Sequence, residues 1–362
     1  MITLDSKSIV VGVDVHKYSH TAVAMDAWGQ EKGKLEFSND LLSAYAAWLR
    51  SLGEKQDIIV GLEDTNGYGV HLVEALSSEG FTIRYVPAIL TERERKTSTK
   101  RHKSDYVDAK RVGKVILAKY EQTLPAKESI AGKEELQIAQ SLDLLLQERR
   151  DLVKQKTMLK NQMHAMLHQY YGDHYADAFK KPFNKEAVAF FLDDLEANTK
   201  TAKEILATSI VRRLNRLGLI EEQISKITKG LTLVGSSSKE VAALQRELHG
   251  CGAVTACTIM AEVTTIKRFA GKNNLASYAG VAPTPHSSGS HHKLNTNPFG
   301  NRRLNRALHT VALSQIACKG DDRGKVYYQK KLKEGKTKLW GLRCLKRQIV
   351  NQVYRILKEA TQ

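Results

Sequence analysis

Four carboxylates constrain this chain more than any other feature: Asp14, Glu63, Asp105 and Asp108. Asp14 ends the apolar run Ile9-Val10-Val11-Gly12-Val13, and Glu63 ends Ile58-Ile59-Val60-Gly61-Leu62. Short runs rich in β-branched residues read as buried strands, so both acids sit at strand tips. Asp105 and Asp108 stand three apart in Lys103-Ser104-Asp105-Tyr106-Val107-Asp108-Ala109-Lys110. On a helix that spacing puts them on one face. Taken singly, each acid also reads as a turn residue, a helix cap or part of a solvated face. Taken together, two strand-end acids and a helical pair can converge. Such a cluster repels itself unless divalent cations neutralise it, and hard oxygen donors select magnesium or manganese.

The charge balance points to the partner. Lys and Arg number 56 against 39 Asp and Glu, a formal net charge of +17 over 362 residues. That excess favours a polyanion, nucleic acid first and an anionic membrane surface second. No apolar run approaches the roughly 20 residues of a membrane span, and the start of the chain has no signal-peptide pattern. Cys251, Cys257, Cys318 and Cys344 show neither C-x-x-C pairing nor zinc spacing. Reduced cysteines in a cytoplasmic protein are expected.

Residues 8–87 alternate strand and helix signals. A three-strand antiparallel meander turns near Gly29, followed by a helix capped at Asn39 and running to about Leu52 with Leu41, Leu42, Tyr45 and Leu49 inward. The Glu63 strand, a helix near Val70–Ser78 and a strand near Thr82–Val86 complete the order. Three antiparallel strands followed by strand–helix–strand is the order of the ribonuclease H-like fold. A basic stretch precedes the acidic pair: Arg93, Arg95, Lys96, Lys100, Arg101 and Lys103. It reads as a solvated helix end or, next to metal ligands, as a contact for a nucleic-acid backbone.

Apolar residues at helical spacing predict long helices over 133–169 and 201–229, plausible partners in a coiled coil. Arg149, Arg150, Lys154, Lys156 and Lys160 either face nucleic acid or form the wet side of a helical hairpin. Gly230 and Gly235-Ser236-Ser237-Ser238 predict a linker. Gly250-Cys251-Gly252 resembles a helix-hairpin-helix turn or an ordinary helix–helix turn. His286-Ser287-Ser288-Gly289-Ser290 reads as a loop before a helix start carrying Arg302 and Arg303, a place where phosphate could bind.

Gly12-Val13-Asp14-Val15-His16-Lys17, Gly61-Leu62-Glu63, Lys103-Ser104-Asp105-Tyr106-Val107-Asp108-Ala109 and Ser288-Gly289 occur together in this order. In that combination the chain resembles the IS110-type insertion-sequence transposases, including their IS1111 branch. The resemblance implies an α/β plus all-α architecture. Its parts would be a RuvC-like (ribonuclease H-like) domain over 1–125, a helical coiled-coil region over 126–235 and a mainly helical transposase domain over 236–362. It further implies a recombinase that joins donor and target DNA under the guidance of a structured bridge RNA, working as a homo-oligomeric dimer of dimers. Asp14, Glu63, Asp105 and Asp108 would hold Mg2+, with Mn2+ as a substitute. Ser288 would be the nucleophile, with Ser287 as the fallback. Two rival readings are a RuvC-like junction nuclease using activated water and a nucleic-acid-binding protein without catalysis.

Overall fold

The computed structural model describes residues 4–63, 67–97, 104–173, 175, 179, 181–197, 203–288, 291–296, 300–319 and 323–362, with backbone only for 284–288 and 291–296. The chain divides into two compact units. One comprises Met1–Gln137, Glu247–Gly250 and Glu262–Gln362, and the other Ile138–Arg246 and Cys251–Ala261.

The first unit begins with a mixed sheet. Strands β1 (Ile9–Val15), β2 (Ser19–Asp26) and β3 (Glu31–Ser38) form the expected antiparallel meander, with Gly29 at φ 81° in the second turn. Helix α1 (Leu42–Leu52) leads to β4 (Ile58–Glu63), which lies parallel to β1. Helix α2 (Val70–Ser78) returns the chain to β5 (Thr82–Tyr85), parallel to β4. Helices α3 (Ala88–Thr97) and α4 (Asp105–Lys119) precede a two-residue edge strand, β6 (Leu124–Pro125), and the short helix α5 (Lys127–Ile130). The sheet order is β3-β2-β1-β4-β5-β6. The exposed edge strand β3 carries Glu31, Lys32, Lys34 and Glu36, charges that discourage edge-to-edge pairing.

The unbroken apolar runs of β1 and β4 are explained by burial on both faces. Val11, Val13, Val60 and Leu62 pack with Tyr45, Leu49, Leu72 and Leu76 of α1 and α2. Val10 and Ile59 face the other way, onto Val112, Val115 and Ile116 of α4. Each such side chain, withdrawn from water, contributes about 1.5–3 kcal/mol. One expectation fails at the start of α1. Asn39 does not cap it, because Asn39–Leu41 forms a separate 3-10 turn and the helix begins at Leu42. The Asn39 side chain instead bonds His20 Nε2 at 2.8 Å through Oδ1 and donates to the Lys17 carbonyl at 3.2 Å, while Leu41 is left 52% exposed.

In the second unit, α6 (Lys133–Tyr171) and α8 (Glu204–Ser236) are longer than the pattern predicts, with α7 (Lys185–Ala197) between them. Leu159, Met163 and Leu167 pack with Phe191, Leu195, Ile210, Leu214 and Leu217. The two long helices run antiparallel: Arg149 Nε donates to Thr228 Oγ1 at 3.1 Å, and Lys156 Nζ lies 2.7 Å from Glu221 Oε1. Arg149, Lys156 and Lys160 thus reach across the hairpin, while Lys154 pairs with Asp151 on its own helix. The linker expected at Gly230 and 235–238 is helix through Ser236. Gly235 is retained there by crowding, since a Cβ would lie 2.9 Å from Cys257 Sγ and 3.1 Å from Val241 Cγ1. Only Ser237 and Ser238 separate α8 from α9 (Lys239–Glu247), and the Gly250–Gly252 turn leads into α10 (Ala253–Val263). Cys251 and Cys257 are buried free thiols, and burial pushes them up to about 12 and about 11.

The remainder of the first unit contains α11 (Lys272–Tyr278), β7 (Pro283–Ser288), β8 (His291–Thr296), α12 (Arg302–Ala317), α13 (Arg323–Lys333) and α14 (Lys338–Ala360). The Ser-rich stretch expected as a loop is therefore an antiparallel two-stranded hairpin. Its prolines and lack of apolar alternation hide the strands in the sequence. No helix among the described residues is long and apolar enough to cross a membrane.

Close approach of α4 to the sheet generates a stability prediction. A Cβ on Gly12 would meet the backbone of α4, 2.1 Å from Ala109 O and 2.4 Å from Gly113 N. A Cβ on Gly113 would meet the end of the flexible Met25 side chain. Gly12→Ala should therefore destabilise by about 1–3 kcal/mol or more, and clearly more than Gly113→Ala, in urea denaturation. Equal midpoints for the two variants would refute this account.

Candidate functional site

Parallel pairing of β1 with β4 puts Asp14 and Glu63 directly in register at adjacent strand ends. The opposite side of the site comes from α4. Ser104 Oγ accepts from the Val107 amide at 3.3 Å, so the helix starts at Asp105 and both Asp105 and Asp108 fall in its first turn. Carboxylates are favoured there by the positive end of the helix dipole. Because Gly12 and Gly61 let α4 lie against β1 and β4, that first turn is brought to the strand ends.

Three side chains form the centre. His16 Nε2 lies 3.3 Å from Asp14 Oδ2 and 3.4 Å from Asp105 Oδ1. The candidate ligand atoms of Asp14, His16 and Asp105 all lie within 4.8 Å of one another, close enough to hold one metal ion. Burial holds the Asp14 carboxyl above the ordinary carboxylate range. The His16 imidazole opposes the shift, and the charges of Asp108, Asp105 and Glu63 add to it. A carboxylate raised by its carboxylate neighbours is the electrostatic state that a bound cation relieves. The donor set fits a hard divalent ion with one imidazole nitrogen.

The other two acids have protein partners. Glu63 Oε2 accepts a hydrogen bond from Thr91 Oγ1 on α3, and Thr91 Oγ1 also lies 2.9 Å from the Ala88 carbonyl. Asp108 Oδ1 pairs with Arg111 Nη1 one turn along α4. Motif reading passed over His16, Thr91 and Arg111 as site residues. His16 follows Asp14 by two positions, the spacing that keeps side chains on one side of an extended chain, and Arg111 stands at i+3 from Asp108, so both were legible. Thr91 was not, because its place depends on how α3 docks.

The remaining expected residues scatter. Arg93, Arg95 and Lys96 are exposed on α3, with Arg95 Nη2 at 2.5 Å and Lys96 Nζ at 3.7 Å from Glu92. Lys100, Arg101 and Lys103 lie outside the described residues. Arg302 is exposed at the start of α12, whereas Arg303 Nε is 2.7 Å from Glu262 Oε1. Ser288 is the last residue of β7, in register with His291, and Ser287 pairs with His292. Their side chains lie outside the described residues.

Two family models match separate parts of the chain. A DEDD-type IS110 family model, described as "Transposase", matches residues 11–172 and so includes all four acids. A second, "Transposase IS116/IS110/IS902 family", matches residues 242–329 and includes Ser288. "Insertion element IS110 uncharacterized 43.6 kDa protein" of Streptomyces coelicolor is 36% identical over 116 residues, 32% of this chain and 28% of that protein. "Transposase for insertion sequence element IS1111A" of Coxiella burnetii is 29% identical over 151 residues, 42% of this chain and 40% of that protein. The aligned stretches thus span well under half the length of either relative.

The raised Asp14 carboxyl has a thermodynamic consequence. A folded-state value above the unfolded one means that the ionised carboxylate disfavours folding at neutral pH, a cost removed as pH falls through the folded value. In chelator at pH 7, Asp14→Asn should melt at or above the wild-type temperature. Adding Mg2+ at about 100 times its Kd should stabilise wild type by about 2.7 kcal/mol and leave Asp14→Asn unchanged. Calorimetry with and without cation tests both halves, and a variant stabilised as much as wild type would exclude Asp14 as a ligand.

Proposed function

The chain belongs to the IS110 family of insertion-sequence transposases, and from that premise we propose that it is an RNA-guided DNA recombinase acting through a serine. The observation that carries this reading is the convergence of Asp14, Glu63, Asp105 and Asp108 at the ends of β1, β4 and α4, with the Asp14 carboxyl raised by burial first and then by the charges of the other three. The strand order, with acids at the ends of its first and fourth strands and on a following helix, supports a RuvC-like, ribonuclease H-like identity for the sheet. The net charge of +17 supports a nucleic-acid partner, with donor and target DNA as substrates and a structured bridge RNA as the guide.

In this reading Asp14 and Asp105, with His16, hold Mg2+, and Mn2+ substitutes for it. Glu63 and Asp108 complete the acidic set. The cation supplies charge neutralisation at the phosphate and favours the deprotonated form of a bound hydroxyl. Ser288 Oγ attacks the scissile phosphorus, with Ser287 as the fallback nucleophile. One Oγ–P bond forms and one P–O bond to the leaving deoxyribose oxygen breaks. The serine hydroxyl gives up one proton and the leaving oxygen takes one, so the exchange is isoenergetic in kind and rejoining needs no nucleotide cofactor. In the same reading Arg93, Arg95, Lys96, Lys100, Arg101, Lys103, Arg302 and Arg303 would meet backbone phosphates, which the exposure of Arg93 and Arg302 supports. The chain would work in the prokaryotic cytoplasm as a dimer of dimers, and the long antiparallel pair α6 and α8 offers it a coiled-coil-like assembly surface. A division at 1–125, 126–235 and 236–362 follows from the same reading.

The test uses full-length protein, RNA from the element's flanks, Mg2+ and labelled donor and target duplexes. Wild type should give a protein–DNA adduct that survives denaturation. Ser288→Ala should abolish it, and Asp14→Ala should slow it by about 100- to 1,000-fold, the loss expected when transition-state charge goes uncompensated. Cleavage without an adduct, unaffected by Ser288→Ala and Ser287→Ala, would replace this reading with a junction nuclease. DNA binding with no cleavage at all, unaffected by cation, would leave a non-catalytic binding protein.

A further inference from the structure

Both chain ends of the β7–β8 hairpin are tied by partly buried polar side chains that the acidic site does not use. At the outgoing end, Gly280 takes φ 67° and its backbone touches that of Gly300, since a Cβ on Gly300 would lie 2.2 Å from Gly280 N and Cα. Asn305, on the first turn of α12, donates through Nδ2 to the Ala279 carbonyl at 2.7 Å and reaches the Gly280 carbonyl at 3.4 Å. Its Oδ1 accepts from Lys346 Nζ of α14 at 2.6 Å. Lys346 is only 9% exposed, and burial with the Arg343 charge pushes its ammonium down to about 8. Asn305 Oδ1 is the one hydrogen-bond partner of that buried ammonium among the described residues.

The returning end is tied with equal care. Asn301 donates its amide N–H to the Tyr278 carbonyl at 2.6 Å and its Nδ2 to Glu262 Oε2 at 2.6 Å and Tyr278 Oη at 3.0 Å. Asn301 Oδ1 caps α12 at the Leu304 amide. Glu262 in turn meets Arg303. Just beyond Glu262 the fully buried Thr264 adopts φ 61°, a conformation that β-branched residues rarely take and that surrounding contacts must enforce.

Burying a lysine and a strained threonine costs stability that a hydrophobic contact would not. What the network holds is a pair of chain ends about to carry a short, polar hairpin. We propose that Asn305, oriented by Lys346, is a positioning residue that fixes the base of the β7–β8 hairpin and thereby the place of the β7 end at which Ser288 stands. The proposal rests on the serine reading above. The amide is suited to this role because its two ends differ: only nitrogen can face the Ala279 carbonyl, and only oxygen can face the Lys346 ammonium. An aspartate of the same shape keeps the tie to Lys346 but sets a carboxylate oxygen against the Ala279 carbonyl.

Asn305→Asp therefore separates support of the fold from positioning of the hairpin. Expected are a folded variant that melts no more than about 4–8 °C below wild type, wild-type DNA affinity, faster hydrogen exchange confined to peptides within 283–296, and an unchanged half-saturating DNA concentration. The maximal rate of adduct formation should fall by about 10- to 100-fold, the cost of displacing a reacting atom by about 1 Å. Should Asn305→Asp fail to fold, Lys346→Met, which removes the donor that orients the amide, gives the same readouts. Wild-type exchange across 283–296 in the folded variant overturns the clamp. Faster exchange with a wild-type adduct rate, while Ser288→Ala abolishes the adduct, overturns the link to chemistry. An adduct that survives Ser288→Ala overturns the serine reading and the catalytic half of this proposal, and the exchange result still decides the clamp.

Discussion

Close packing of α4 on the glycines of β1 and β4, backbone on Gly12 and the Ile116 and Val112 side chains on Gly61, is the constraint from which the acidic site follows. Gly12 and Gly61 stand in register on the two central strands, and neither has room for a methyl group beneath the helix. Any side chain there would lift α4 away from the sheet and carry Asp105 and Asp108 with it. The Ser104 cap then sets where the helix begins, and with it the rotation of the first turn. A one-residue shift of that start would turn the acids by about 100°, from 3.6 residues per turn, and away from Asp14. Backbone fit, rather than any contact among the acids, assembles the cluster.

Assembly of the cluster runs against its own electrostatics. Glu63 and Asp108 are compensated from within the chain, by a hydroxyl and a guanidinium. Among the described residues Asp14 and Asp105 share an imidazole, and burial between the strands holds the Asp14 carboxyl above its ordinary range. Compensation is therefore uneven, and the deficit sits at the three side chains whose atoms could hold one ion. His16 and Asp105 are exposed and Asp14 is half-buried, so the cluster opens to solvent. The packed backbones of β1, β4 and α4 hold the acids' positions, so folding energy from the apolar core is what keeps them near one another.

The parts legible in the sequence are those governed by local rules. Unbroken apolar runs rich in β-branched residues reveal β1 and β4 and hence the strand-end acids, and three-residue spacing reveals the Asp105–Asp108 pair. Asn39 was misread because a cap and a cross-strand bridge use the same side chain, and only the position of His20 decides between them. Gly230 and Gly235 looked like a break because glycine disfavours helices by about 1 kcal/mol. The crowding that requires glycine at 235 comes from Cys257, 22 residues further on, and no local rule could reveal it. Thr91 was hidden for the same reason, as was the hairpin at 283–296, whose strands lack an apolar face.

Two kinds of support thus coexist in the first unit. The acids are held by apolar burial and steric fit, which resist displacement because a packed core has few alternative arrangements. The hairpin with Ser288 has almost no apolar material and relies on directed hydrogen bonds at its two ends, from Asn301 and Asn305. Hydrogen bonds to an amide fix orientation sharply but contribute only about 1 kcal/mol each, so the base of the hairpin is held by direction rather than by packing. In the serine reading proposed above, the acids would need fixed ligand positions and the serine a defined pivot. The contrast between an apolar frame for the acids and a polar clamp for the hairpin fits that division of labour.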